Sequence, residues 1–263
     1  MAQLPILVAA AAAEGDFERV EAWLAGGTAS HPRSVSDVDD DGWTLLKWIA
    51  MSRDVTPEHI EFARNLISRG CPVDAQSSGP LRAVGYTALH CACQNPRGDA
   101  APIVALLVTA GANVNIQAES GATPLFSILE ASASTIDIVT TLLRAGASLD
   151  SESIISDDDA TTRTFEEQLN HIDRGTEHDV ATKNLVASVR AAGSWKAHCR
   201  LPHKQILRLR SLVARGRVKL PSRTRRRSPR GRDARQKRAL EFVVRQGDNG
   251  IVWNILSFWR ETA

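Results

Sequence analysis

Two stretches of this chain, 36 residues apart, begin and end alike, and internal repetition at that spacing constrains the fold more than any other feature. The first opens Gly85-Tyr86-Thr87-Ala88-Leu89-His90-Cys91-Ala92 and the second Gly121-Ala122-Thr123-Pro124-Leu125-Phe126. Each closes on an apolar run and a glycine: Ile103-Val104-Ala105-Leu106-Leu107 leads to Gly111-Ala112-Asn113-Val114-Asn115, and Ile138-Val139-Thr140-Thr141-Leu142-Leu143 to Gly146-Ala147-Ser148-Leu149-Asp150. Glycine followed by threonine makes a turn entering a helix, with the threonine as its N-cap. Leu89, Ala92 and Cys93 form one apolar stripe at helical spacing, and Val104, Leu107 and Val108 form another in the partner helix. Gly111 and Gly146 fall just past their helices, where a left-handed residue ends the turn with little strain. A single helix pair of this kind cannot bury both faces, so the units must stack.

These motifs resemble the ankyrin repeat. Weaker copies precede them. Residues 4–27 read as a capping repeat, with Ala11-Ala12-Ala13-Glu14-Gly15-Asp16 as its turn and Val20, Trp23 and Leu24 facing inward from a helix over 17–25. Residues 42–74 read as another, opening Gly42-Trp43-Thr44-Leu45-Leu46-Lys47-Trp48-Ile49-Ala50. Here Leu45 replaces the family's proline and Lys47 its histidine. In the family that histidine bonds nearby backbone, so this turn must be held differently. Thr44 to Gly70, Thr87 to Gly111 and Thr123 to Gly146 span 26, 24 and 23 positions, which places extra residues between the helices of each middle repeat. The expected fold is all-α: a solenoid of four such repeats over 1–150, followed by a small C-terminal helical module. Aromatic residues are scarce, at 5%, which suits thin helical layers.

Past Ser151 the period fails. Residues 151–215 are expected to form a helical cap and linker, with a loop at Asp157-Asp158-Asp159 and short helices around 164–172 and 179–192, the latter ending at Gly193. His203 to Arg215 reads as an amphipathic helix. The net charge of +2 hides a split: residues 1–214 carry −8, residues 215–238 carry +11, and residues 239–263 carry −1. The segment 216–238 is too polar to bury a core of its own. Residues 239–263 turn apolar again and end in a short helix with Trp253, Phe258 and Trp259, expected to pack with Trp195 and the 203–215 helix. This tail is similar to those of ankyrin proteins from unicellular algae and related protists. Ile251 to Trp259 also resembles the first helix of an F-box, without the Leu-Pro that precedes it there. Leu207 to Val218 resembles the elongin-binding helix of a suppressor-of-cytokine-signalling box, without its cysteine or its downstream prolines.

The ankyrin resemblance implies protein binding through hairpin fingers and the concave face of the first helices. Carried over position by position, the candidate contacts are Asp40, Asp41, Trp43 and Trp48 in the second repeat. In the third they are Val84, Tyr86, Ala88 and Cys91, and in the fourth Glu119, Ser120, Ala122 and Ser127. Trp43 and Tyr86 are expected to be equivalent exposed aromatic anchors on adjacent fingers, the residue type that interface hot spots favour. An acidic body favours a partner with basic patches. His90 is read as a structural turn residue. His90, Cys91 and Cys93 do not converge as metal ligands, because neighbours on a helix point about 100° apart. No phosphate-binding glycine loop, nucleophile elbow or zinc-binding motif is present, so neither catalysis, a cofactor nor a metal is expected.

Two alternatives concern the tail. Either it docks a ubiquitin-ligase scaffold, making the chain a substrate adaptor, or its basic segment serves a nuclear factor. Arg225, Arg226, Arg227, Arg230, Arg232, Arg235, Lys237 and Arg238 suit a nuclear localisation signal or weak phosphate-mediated nucleic-acid binding without base stacking. Four cysteines without paired spacing point to a reducing compartment, the cytoplasm, with the nucleus if the basic signal is used. No apolar run reaches the roughly 18 residues of a membrane span, and Leu4 to Ala13 reads as a helix rather than a signal peptide.

Overall fold

The computed structural model describes residues 3–28, 32–79, 84–95, 100–130, 136–156, 161–172, 177–201 and 204. The chain divides into two compact units, Met1–Val186 and Ala187–Ala263. The first unit contains four helix pairs: α1 (Ile6–Glu14) with α2 (Phe17–Ala25), α3 (Leu45–Ala50) with α4 (Pro57–Ser68), α5 (Ala88–Gln94) with α6 (Ala101–Thr109), and α7 (Pro124–Ser127) with α8 (Ile136–Arg144). First helices stack in the order α1, α3, α5, α7, and the outer helices α4, α6 and α8 stack likewise. Helix α2 meets α4 through Phe17, stacked on Phe62 with centroids 4.4 Å apart.

The helices begin where the sequence places their caps. Thr44, Thr87 and Thr123 are extended N-caps of α3, α5 and α7, and Thr44 and Thr123 accept the backbone N–H three residues on. Asp16 caps α2 in the same manner. Val20, Trp23 and Leu24 are buried as expected, and Leu89, Ala92 and Cys93 lie in the core. Of the second stripe, Val104 and Leu107 are buried with Ile103 and Leu106, while Val108 is half-buried. Removing a leucine such as Leu107 from this close-packed interior costs about 2–5 kcal/mol in general.

The inter-helix turns before α3, α5 and α7 form fingers, and backbone hydrogen bonds tie each finger to the next. Ser78 N–H donates to the Asp41 carbonyl (3.3 Å), Glu119 N–H to Val84 (3.2 Å) and Ile154 N–H to Ser120 (2.8 Å). At Gly42, Gly85 and Gly121 the following finger's backbone comes so close that a Cβ would sit 2.7–2.9 Å from it. These glycines also carry left-handed φ of 73°, 80° and 78°. They are required twice over, by the turn and by the close approach.

The fold is the expected all-α ankyrin-type solenoid, and the last link in this series is its one addition among the described residues, a short two-stranded sheet. Glu152–Ser156 (β1) and Thr161–Thr164 (β2) pair as an antiparallel hairpin, Glu152 opposite Thr164. Strand β1 supplies the backbone on which finger Gly121 rests, so the hairpin takes the position of a fifth finger and covers the end of the stack. Thr164 then caps α9 (Phe165–His171) through a reciprocal bond with Glu167. Helix α10 (Glu177–Ala192) buries Thr182, Val186 and Val189, leaves Leu185 half-buried, and ends at Gly193 with φ 83°. In the second unit residues 195–201 are helical and Trp195 packs on His198 with centroids 5.6 Å apart. The 203–215 helix, bar Lys204, and the segments 216–238 and 239–263 lie outside the described residues.

His90 holds its turn from a fully buried position. Thr87 N–H donates to Nδ1 at 3.2 Å, which fixes that nitrogen as an acceptor. Nε2 therefore carries the proton and donates to the Ala122 carbonyl of the next finger at 3.0 Å. Burial pushes the His90 pKa from its ordinary 6.5 down to about 4. The unfolded chain thus binds a proton that the native state refuses, so stability present above pH 6.5 is lost as the pH falls towards 4, by about 3 kcal/mol. Urea titrations at pH 7 and pH 4.5 should show this slope, and His90→Gln should flatten it relative to wild type.

Candidate functional site

The second finger is built around Asp39. Its Oδ1 accepts the backbone N–H groups of Asp41 (3.0 Å) and Trp43 (2.8 Å), and its Oδ2 accepts the Trp48 indole N–H at 2.8 Å. A carboxylate that satisfies three donors fixes both the turn and the plane of one tryptophan. The Asp39–Asp41 run is therefore an organised turn rather than a freely solvated one. Below it lies Lys47, wholly buried, whose Nζ donates to the Gly42 carbonyl at 3.0 Å. This is how the finger is held without the histidine: a lysine reaches back to its own turn. Desolvation lowers the Lys47 pKa to about 8, and Asp39 opposes that fall.

Trp43 and Trp48 meet at 5.3 Å between centroids with their planes inclined by 52°, and both are half-buried. They line a groove of about 1040 Å³ in the first unit. Ala10 and Ala13 of α1, whose side chains are single methyl groups, line the groove with them. Leu7, one turn before Ala10 on the same helix, is 72% exposed. Among the charged residues of the lining the acidic ones are in excess, with Glu14, Asp41 and Asp54 against Arg53. The arrangement offers aromatic surface and negative charge; the Ser52 hydroxyl on the lining donates to the Ala13 carbonyl at 2.7 Å and lies 3.2 Å from His59 Nε2.

The remaining expected contacts divide by exposure. Asp40 is exposed at the finger tip, where its carboxylate accepts the Gln3 side-chain amide, and Glu119 is exposed on the fourth finger. Ser120 and Val84 are half-buried. Tyr86, by contrast, is only 5% exposed, so the expectation that it matches Trp43 as an exposed anchor is corrected. Its hydroxyl donates to Glu130 of the next repeat at 3.2 Å and its ring packs on His90. Ala88, Cys91, Ala122 and Ser127 are buried in the stack as well, and none presents side-chain surface to a partner. Sequence reasoning missed Ala10, Ala13, Glu14, Met51, Arg53 and Asp54, which reach the groove from neighbouring elements. It also missed His59, whose Nδ1 accepts Thr56 N–H (3.3 Å) as His90 does for Thr87. The signal was present in Thr56-Pro57-Glu58-His59, which repeats the Thr-to-His spacing.

A family model described as ankyrin repeats (3 copies) matches residues 7–118 and again 56–153, together more than half the chain and all four helix pairs. The chain belongs to the ankyrin-repeat family. A search of curated proteins found no match. An ankyrin array is a non-catalytic scaffold for protein–protein interaction, and that general role applies here. Among the described residues no group of three or more His, Cys, Asp or Glu could hold a metal ion, and no helix is long and apolar enough to cross a membrane. Cys71, Cys91 and Cys93 are buried free thiols. The basic candidates Arg225, Arg226, Arg227, Arg230, Arg232, Arg235, Lys237 and Arg238 lie outside the described residues, as do both segments that resemble ubiquitin-ligase elements, 207–218 and 251–259.

Proposed function

We propose that this ankyrin array recognises a protein partner through the groove between its first two repeats, and that the partner brings basic side chains to it. The observation that carries the reading is the Trp43–Trp48 pair, half-exposed in a groove whose charged lining residues are acidic by three to one. Tryptophan in a partly desolvated setting dominates many interfaces, and opposed charge raises the rate and selectivity of encounter. The fingers contribute Asp40, Asp41 and Glu119 around the same acidic character. The reading places the protein in a reducing compartment, where its free thiols persist.

Affinity capture from a cell extract with mass spectrometry tests it, comparing intact protein with Trp43→Ala/Trp48→Ala. Partners enriched by the intact chain are expected to fall at least about tenfold with the double variant, the scale of one hot-spot truncation. A buried-face control, Tyr86→Phe, removes only the hydroxyl bond to Glu130 and should keep them. Partners retained by the double variant would place recognition elsewhere on the chain.

A further inference from the structure

We infer that the groove is a seat for a single arginine side chain of an extended basic peptide, its guanidinium laid on the Trp43–Trp48 pair. The inference rests on the groove being the recognition surface and adds which side chain enters it.

Geometry comes first. Rings 5.3 Å apart at 52° touch each other, so nothing is sandwiched between them. The inclined pair lines the groove together with Ala10 and Ala13 of α1. A flat cation can lie on one indole face while its edge meets the other. Guanidinium is planar and weakly hydrated, and it stacks on aromatic faces while its N–H fork points outward in its own plane. The chain already shows the compatibility once, internally: the Arg33 guanidinium lies over the Trp23 ring at 5.1 Å from its centroid.

Charge comes second. An arginine stacked in the groove needs carboxylates at its rim. Asp41 adjoins Trp43 on the finger, and Glu14 ends α1. Among the described residues neither is ion-paired. Asp39 cannot serve, because its oxygens already accept three N–H groups. Its role is positioning: by holding the Trp48 indole and the Trp43 backbone, it sets the pair before any ligand arrives, which lowers the ordering cost of binding.

Arg53 provides an internal check. It is the one basic residue on the lining and is exposed, so it repels an incoming cation. Its removal should strengthen binding of an arginine peptide, an effect opposite in sign to that of every other groove substitution.

The test uses the full chain and a capped peptide, acetyl-Gly-Ser-Arg-Gly-Ser-Arg-amide, followed by tryptophan fluorescence and calorimetry at low salt. Two matched peptides carry citrulline or lysine in place of arginine. The arginine peptide is expected to bind. Citrulline, which keeps the shape but loses the charge, should bind about tenfold more weakly or worse, and lysine several-fold more weakly, since a cation on an aromatic face is worth roughly 1–2 kcal/mol and the ammonium lacks the planar fork. Asp41→Asn should weaken binding and Arg53→Gln should tighten it. Both are substitutions at the groove rim that leave the core intact. Equal binding of arginine and citrulline peptides, or of arginine and lysine peptides, overturns the assignment. So does unchanged affinity in Asp41→Asn. If the arginine peptide fails to bind while the Trp43→Ala/Trp48→Ala variant still loses its captured partners, the arginine assignment falls and the groove reading stands. If capture also survives the double variant, both fall.

Discussion

Asp39→Ala is expected to destabilise the protein by about 3 kcal/mol and to abolish partner capture, although the side chain itself lines no part of the groove. The substitution strands three N–H donors at once, those of Asp41, Trp43 and the Trp48 indole. Each charge-assisted bond lost without a substitute costs about 1–3 kcal/mol, and partial access of water at this half-buried site returns some of it. Asp39 also opposes the desolvation of buried Lys47, so its removal leaves that ammonium less well supported. Asp39→Asn separates the parts. Its amide oxygen can still accept Asp41 and Trp43 N–H, but its NH₂ group then faces the indole donor. The expected loss is roughly half that of alanine, with the finger retained and Trp48 released. Urea unfolding gives the stability and affinity capture the binding. Full stability in Asp39→Ala would mean that the finger is not organised by this carboxylate.

Gly121→Ala should cost about 2–4 kcal/mol, whereas Gly111→Ala should cost about 1 kcal/mol. Both positions have left-handed φ, 78° and 91°, so the backbone strain of a side chain is common to the pair. They differ in what the new methyl group meets. At Gly121 it would lie 2.7 Å from the Glu152 carbonyl oxygen, backbone of β1 that cannot swing aside. At Gly111 nothing lies within 4 Å. The difference measures how tightly the hairpin closes the stack of fingers. Gly121→Ala should also raise amide exchange in 152–164, where the hairpin pairs. Equal costs at the two glycines would remove the hairpin's capping role.

Much of this architecture is legible in the residues themselves. The Thr caps, the Leu89-Ala92-Cys93 and Val20-Trp23-Leu24 stripes and the glycines past each helix are local signals, set by helical period and by φ. Lys47 was legible as an anomaly, and the need for a different hold on its turn is met by the bond to Gly42. The hairpin was not legible, because four- and five-residue strands carry too little alternation. Only the β-branched residues Ile154, Ile155, Thr161, Thr162 and Thr164 hinted at it.

The site failed in a more instructive way. Trp43 and Tyr86 hold equivalent places in consecutive repeats, yet equivalence in a repeat is not equivalence in exposure. Tyr86 is covered because the next repeat brings Glu130 over it. Trp43 stays half-exposed on a groove that it shares with Ala10 and Ala13 of α1. Exposure at a finger is decided by the adjoining repeat, which no single motif encodes.

The most direct measurement is site-specific photo-crosslinking in a cell extract, with the photoreactive amino acid placed at Arg53 on the groove or at Arg64 on the outer helix α4. Both positions are exposed, so neither should disturb the fold. The groove account predicts a discrete crosslinked partner from Arg53, lost when Trp43→Ala/Trp48→Ala is added, and none from Arg64. A partner captured from Arg64 alone, or from Arg53 regardless of the tryptophans, would contradict it.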